Sequence, residues 1–97
     1  MNEIKHAVAL VDAEADVILF GSRARGDYRE ESDWDVLVLT DKPVVRGLKK
    51  RIWSSVLDVE LEHVIGISTI IKNKQEWAEK FSITPFYREV LKDGILL

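Results

Sequence analysis

The sequence predicts a small α/β (α+β) fold in which a mixed sheet is flanked by helices, and three observations support this. Two short apolar runs, Val17–Phe20 and Val36–Leu39, have the length and continuity of buried strands. The second run is followed by a longer segment with apolar residues at helical spacing. A β-branched run, Val64–Ile71, then follows and is typical of a further strand. Alternation of the two periodicities indicates a layered α/β architecture.

The first half of the chain is expected to contain one helix and two strands. Four apolar residues near the start recur at helical spacing and predict a short amphipathic helix: Ile4, Ala7, Val8 and Val11. The first strand ends at Gly21, and the polar residues 21–33 are expected to form a functional loop with room for a helical turn. The second strand is expected over Trp34–Thr40, with its central residues buried on both faces.

A long helix and a third strand are expected next. Pro43 suits the first turn of this helix, which should continue to about Glu62. Its apolar stripe is formed by four residues: Val45, Leu48, Ile52 and Val56. The strand Val64–Ile71 contains Gly66, which we interpret as a bulge or a point of close approach.

Capping signals mark the C-terminal elements. Asn73, with Glu76 three residues later, predicts a helix start around Trp77. The last helix has three marks: Thr84 as N-cap, Pro85 at the first helical position and Gly94 just past the end. Residues Ile95–Leu97 are expected to add a short edge strand.

Length and composition exclude several classes of protein. Ninety-seven residues predict one domain over residues 1–97, because so short a chain does not build two independent cores. No apolar run approaches the roughly 20 residues that cross a bilayer, and the N-terminus lacks a signal-peptide layout, which favours a cytoplasmic protein without membrane contact. The absence of cysteine excludes disulfides, thiol nucleophiles and cysteine-ligated zinc. A formal net charge of −3 argues against stand-alone nucleic-acid binding.

Some conspicuous side chains have ordinary explanations. The basic group Arg46, Lys49, Lys50 and Arg51 is interpreted as the solvated face of a helix in preference to a phosphate or partner site. Trp53 and Trp77 are assigned to core packing. His6 and His63 have no metal-ligand spacing and are assigned to surface or half-buried positions.

The segment Gly21-Ser22-Arg23-Ala24-Arg25-Gly26 carries groups suited to phosphate. Glycine after a buried strand lets the backbone turn sharply and approach a ligand closely. The amides of Gly21 and Ser22, with the Ser22 hydroxyl, are donors for phosphate oxygens. Arg23 and Arg25 can add charge-assisted hydrogen bonds, although Arg23 is equally suited to a solvated loop. A P-loop is excluded because Lys and Ser/Thr do not follow the second glycine.

Asp33 and Asp35 lie two residues apart at the start of the second strand, so their side chains project from the same face. Their Cα atoms should be about 6.5–7 Å apart, which lets both carboxylates converge on shared metal. Trp34 between them should point the opposite way, into the core. Mg²⁺ is usually held by one or two carboxylates and by substrate phosphates. The loop and the aspartate pair together predict phosphoryl or nucleotidyl transfer.

The pattern Gly21-Ser22-x-Ala24-Arg25-Gly26, followed by Ser32-Asp33-x-Asp35, resembles the signature of minimal nucleotidyltransferases of the DNA polymerase beta superfamily. The resemblance implies their palm-like fold, with the triphosphate on Gly21 and Ser22, and Arg25 matching the family pattern. It implies two Mg²⁺ ions on Asp33 and Asp35. The implied reaction moves a nucleoside monophosphate, often AMP from ATP, to a hydroxyl on a protein or small molecule and releases pyrophosphate. Family members of this length commonly act beside a helical partner of the HEPN class, some as antitoxins that adenylylate it.

One departure from the family pattern leaves two functions open. Fully active members usually carry a third carboxylate on the strand after the long helix, and Val64–Ile71 contains no acid. Glu60 and Glu62 lie just before this strand, and either could reach the site if the strand begins earlier than Val64. The alternatives are an active magnesium-dependent nucleotidyltransferase and a binding module or antitoxin that keeps the fold without turnover. A template-directed polymerase is disfavoured by size and charge, and a homo-oligomer is compatible with the sequence.

Overall fold

The computed structural model describes residues 2–97, which contain five helices and four strands. In chain order the elements are α1 (Asn2–Ala9), β1 (Asp16–Phe20), α2 (Ser22–Arg25), β2 (Trp34–Thr40), α3 (Arg46–His63), β3 (Ile67–Asn73), α4 (Lys74–Lys80), α5 (Pro85–Asp93) and β4 (Ile95–Leu96). The strands form one sheet in the order β3-β2-β1-β4. β2 is parallel to β3 and antiparallel to β1, and β1 is antiparallel to β4, which confirms the predicted mixed sheet.

The two faces of the sheet pack against different helices. Val36 and Val38 of β2 lie in a core with residues of α1 and α3. Leu37 and Leu39 lie in a second core with residues of α4 and α5. Because side chains alternate along a strand, Asp35 is on the same face as Leu37 and Leu39. The sheet therefore directs Asp35 towards the side covered by α4 and α5.

The long helix α3 begins later than the sequence predicts. Pro43 lies before the helix, where its carbonyl accepts the amide of Val45 at 3.1 Å, and Val45 has the extended backbone of an N-cap. The assignment of Val45 to the buried stripe is wrong, because its side chain is exposed. The stripe consists of four residues: Leu48, Ile52, Val56 and Val59. Trp53 is also exposed, so its assignment to the core is wrong, whereas Trp77 is buried as expected.

The third strand is shifted towards the C-terminus relative to the prediction. α3 continues to His63, and Val64 ends it in the left-handed conformation with φ of 54°. The amide of Val64 donates to the carbonyl of Glu60. A left-handed β-branched residue is an uncommon helix end, so the apolar run around Val64 resembles a strand start although it caps a helix.

The C-terminal caps lie where the sequence predicts them. Asn73 Oδ1 accepts the amide of Glu76 at 3.1 Å, although α4 begins directly after Asn73 instead of around Trp77. Thr84 Oγ1 accepts the amide of Tyr87 at 3.2 Å and starts α5. β4 is the short edge strand expected at the end of the chain. Within residues 2–97, no helix combines the length and apolar character needed to cross a bilayer.

Candidate functional site

Gly21 ends β1 in a backbone conformation that residues with side chains rarely adopt. Its φ is 75° and its ψ is −157°, and a Cβ added here would collide with Asp35 Oδ2 and lie 3.2 Å from Asp35 Cγ. The Gly21 carbonyl accepts the amide of Arg25 at 3.1 Å, so Ser22 begins a turn of helix. First-turn amides have no carbonyl partner inside their own helix, which leaves the Ser22 amide free to donate to a ligand.

Asp33 and Asp35 each lie against a glycine. The Asp35 carboxylate fills the position that a Cβ on Gly21 would occupy. In the same way, a Cβ added to Gly66 would collide with Asp33 Oδ1 and lie 3.1 Å from Asp33 Cγ. The Gly66 carbonyl also accepts the amide of Trp34 at 2.8 Å. Gly66 is therefore a close-approach point, as the sequence predicts. The Trp34 ring packs against the opposite core, so it points away from the two carboxylates.

The two aspartates fit a divalent cation. The pKa of Asp35 is raised above its usual value, first by burial and then by the negative charges of Asp33 and Glu89, while Arg25 opposes this rise. A cation between the carboxylates relieves their repulsion and replaces lost hydration. Mg²⁺ held by one or two carboxylates and by phosphates needs no third ligand from the protein. Within residues 2–97, no three acidic or histidine side chains are grouped closely enough to hold a metal alone.

Arg23 holds the loop that leads to the aspartates. Its Nη2 donates to the carbonyl oxygens of Glu30 at 2.9 Å and Ser32 at 3.0 Å. Its guanidinium carbon lies 4.3 Å from the ring centre of Tyr28 and 4.6 Å from that of Trp34. The side chain is therefore occupied by loop contacts and aromatic faces, and the solvated-loop interpretation of Arg23 is replaced by a structural role.

Glu89 is a neighbour of the site that the sequence analysis missed. Phe86 of α5 packs edge-on against Phe20 with ring centres 5.1 Å apart, and Phe20 pairs with Asp35 in the sheet. Glu89 follows Phe86 by about one helical turn, and its Oε1 accepts from Arg25 Nη1 at 3.2 Å. Its position depends on how α5 packs against β1, and no local motif marks it.

Within residues 2–97, the structure groups neither Glu60 nor Glu62 with Asp33 and Asp35 in a set of three side chains that could hold a metal. Asp35 pairs with Ser68 in the parallel register, so Ser68 occupies the β3 position nearest to Asp35 on that face. Glu60 and Glu62 belong to α3, whose buried residues pack against the opposite face of the sheet. β3 also begins later than predicted, so neither residue lies on it. Besides Asp33, the carboxylate of Glu89 from α5 acts on Asp35 through its negative charge.

Asparagine in place of Asp35 is expected to stabilise the ligand-free fold. Because the pKa of Asp35 is raised in the folded chain, that state holds the proton more tightly than the unfolded chain does. Stability linked to this carboxyl is therefore lost as pH rises through the folded-state pKa. At neutral pH with chelator, Asp35→Asn should raise the free energy of unfolding modestly, because Asp35 is partly solvated.

Urea denaturation at several pH values measures this effect. The difference between the two proteins should shrink as pH falls and vanish below about pH 3, where aspartate is protonated in both states. An Asp35→Asn variant that is less stable than the parent at neutral pH would show that the carboxylate carries no electrostatic penalty.

The chain is similar to a known domain family and to two archaeal proteins. Residues 1–97 match the family model described as Nucleotidyltransferase domain. The Methanocaldococcus jannaschii protein named "Putative protein adenylyltransferase MJ0604" is 34% identical over 85 residues, which cover 84% of this chain and 75% of that protein. A second protein of that organism, "Putative protein adenylyltransferase MJ0141", is 48% identical over 58 residues, or 60% of this chain and 59% of its own length.

Solved structures of similar fold are toxin–antitoxin structures. A toxin–antitoxin crystal structure with AMP-PNP superposes with a TM-score of 0.70 at 16% identity and covers 98% of this chain and 69% of its own chain. A mutant of the toxin–antitoxin MntA-HpeT gives 0.67 at 14% identity, with coverage of 98% and 69%. At these identities the likeness concerns the fold, and it confirms the nucleotidyltransferase fold. Since the family match also covers the entire sequence, the chain belongs to the nucleotidyltransferase domain family.

Proposed function

We propose that this domain, acting as one unit over residues 1–97, transfers AMP from ATP to a hydroxyl group on a protein. The observation that carries the proposal is the placement of Asp33 and Asp35 against Gly66 and Gly21, beside the helical turn that begins at Ser22. This arrangement brings carboxylates for metal and amides for phosphate to one end of the sheet. The names of the two archaeal relatives support a protein acceptor, and AMP-PNP in the solved toxin–antitoxin structure supports ATP as donor.

Different residues of the chain would bind the metal, bind the triphosphate and accept the proton in this reaction. Asp33 and Asp35 would hold Mg²⁺, with two ions as the proposed number, and the metal would offset charge on the phosphates. The amides of Gly21 and Ser22 orient the triphosphate, and Arg25 neutralises its charge. The acceptor oxygen bonds to the α-phosphorus while the bond to the bridging oxygen breaks and pyrophosphate leaves. We propose that the carboxylate of Glu89, which lies near Asp35, accepts the proton that the acceptor hydroxyl loses.

The acceptor that we propose is a helical toxin of the HEPN class, with this chain as its antitoxin. The structural likeness to toxin–antitoxin chains supports a protein partner of that kind. Ser68 in place of a strand acid supports a second candidate, in which the chain binds nucleotide and partner without turnover.

Transfer of isotopic label from ATP separates these functions. The chain would be incubated with magnesium, a candidate HEPN-type helical protein, and ATP labelled at either the α- or the γ-phosphate. We expect the α-label and not the γ-label to become attached to protein. Transfer of the γ-label would indicate a kinase, and bound nucleotide without any transfer would favour the non-catalytic module.

A further inference from the structure

The face of α3 beside the edge strand β3 carries an apolar row that other described residues cover only in part. Trp53, Leu57 and Leu61 follow one another at intervals of about one helical turn and are 48%, 47% and 70% exposed. Val64, directly after the helix, is 90% exposed. Single exposed apolar residues are ordinary, but a contiguous row on one helix face is typical of a surface that another helix covers.

A groove of about 590 Å³ runs between this row and the edge strand β3. Trp53 and Leu57 line its α3 side, and Ser68 and Thr69 line its β3 side. The Trp53 Nε1 donates to the Thr69 carbonyl at 3.3 Å, so this outward-facing backbone group is already bonded. An added strand would have to displace Trp53. The groove therefore favours side chains of a helix over a paired strand.

The charges on α3 are unfavourable for a helix on its own. Its first half carries four basic residues and its second half three acidic ones: Arg46, Lys49, Lys50, Arg51, then Asp58, Glu60 and Glu62. A helix dipole favours the reverse order, with acids near the start and bases near the end. Arg46 with Lys50, and Asp58 with Glu62, are also like charges one turn apart, which repel. No ion pair found within residues 2–97 involves these side chains.

We propose that α3 forms a homodimer interface in which two copies pack their α3 helices antiparallel about a twofold axis. Antiparallel packing places the basic half of one helix beside the acidic half of the other and opposes the two helix dipoles. In a register centred near Ser55, Lys50 lies opposite Glu60 of the second copy. Trp53 then lies opposite Leu57 of the second copy, so the centre of the apolar row is buried against itself, while Leu61 lies opposite Lys49 of the second copy.

The charge pattern favours a second copy over other occupants. The two halves of α3 complement each other, so one surface matches itself when it is rotated by the twofold axis. A parallel arrangement would bring like charges together, and a uniformly acidic or basic partner would match only half of the helix. The buried residues of α3 pack on the face of the sheet opposite to Asp35, although the groove reaches Ser68, the β3 residue paired with Asp35. The inference does not depend on nucleotidyl transfer.

Sedimentation equilibrium of the full chain, from micromolar to near-millimolar concentration, tests the dimer. The parent chain should show a reversible monomer–dimer equilibrium. Leu57→Glu should weaken dimerisation at least about tenfold, because it buries a charge in the centre of the interface. The matched control Leu91→Glu changes an exposed leucine of α5 and should dimerise like the parent. A parent chain that stays monomeric throughout, or a Leu57→Glu variant that dimerises normally, would overturn the proposal.

Charge reversal tests the antiparallel register. Lys50→Glu places two acids opposite each other, and Glu60→Lys places two bases opposite each other, so each variant should dimerise several-fold more weakly. The double variant Lys50→Glu/Glu60→Lys restores both pairs and should regain parental affinity. Mixing the two single variants should give a heterodimer. A double variant as weak as the single ones would contradict this register, even if a dimer exists.

Discussion

Replacement of both Asp33 and Asp35 by asparagine is expected to abolish nucleotidyl transfer, with turnover at least about a thousandfold lower, or ~4 kcal/mol of lost transition-state stabilisation. Asparagine keeps the shape of both side chains and removes the charges that would hold the metal. The fold should persist, because the two carboxylates repel each other and Asp35 is partly buried. The rate of α-label transfer from ATP, compared at saturating magnesium, measures the loss.

Glu31→Gln is the matched control for this variant. Glu31 is exposed in the loop that precedes Asp33, so the change removes a nearby charge without altering the aspartate pair. It should transfer label at the parental rate. If the double asparagine variant also kept the parental rate, the metal would have to be held by other residues and the assignment of the site would be wrong.

Gly21→Ala is expected to disturb both the fold and the site. The backbone at Gly21 has φ of 75°, and the new Cβ would collide with a carboxylate oxygen of Asp35. Backbone strain and overpacking together should lower the free energy of unfolding by about 2–4 kcal/mol. Since Asp35 must move to relieve the collision, magnesium-dependent triphosphate binding should be lost even at temperatures where the variant remains folded.

Gly26→Ala separates the collision from the strain. Gly26 also has a positive φ, of 84°, but a Cβ added there meets nothing within 4 Å. This variant should be destabilised by only about 1 kcal/mol and should bind triphosphate like the parent. Equal loss of binding in the two alanine variants would show that triphosphate binding does not depend on the contact between Gly21 and Asp35. Thermal unfolding and nucleotide titration of both variants give the comparison.

The predicted elements that the structure reproduces are those marked by local chemistry. β2 covers Trp34–Thr40 as predicted, because a continuous apolar run between polar segments suits a central strand. Asn73 and Thr84 cap their helices because their side chains bond the first free amides, a purely local effect. Gly21 and Asp35 lie close together because β1 and β2 are antiparallel neighbours. Gly21 directly follows the last residue of β1, Phe20, and Phe20 pairs with Asp35 near the start of β2.

The features that the sequence analysis missed depend on tertiary packing. Pro43 suits a helix start in isolation, but the chain turns there before α3 begins. Trp53 is an aromatic residue of the kind that usually fills a core, yet it lies half exposed beside the edge strand β3, where it donates to the Thr69 carbonyl. Glu89 approaches the site because α5 packs on this face of the sheet, with Phe86 against Phe20. Contacts between elements distant in the chain leave no periodic or motif signal near these residues.

Calorimetric titration with ATP, GTP, CTP and UTP, each with and without magnesium, tests the central claim most directly. We expect ATP to bind only with magnesium, and we expect binding to vanish in the Asp33→Asn/Asp35→Asn variant. Binding of another triphosphate under the same control would keep the site and change the donor. Absence of binding by every triphosphate, or affinity that is unchanged without magnesium and in the variant, would contradict the claim that Gly21, Ser22 and the two aspartates form a metal–triphosphate site.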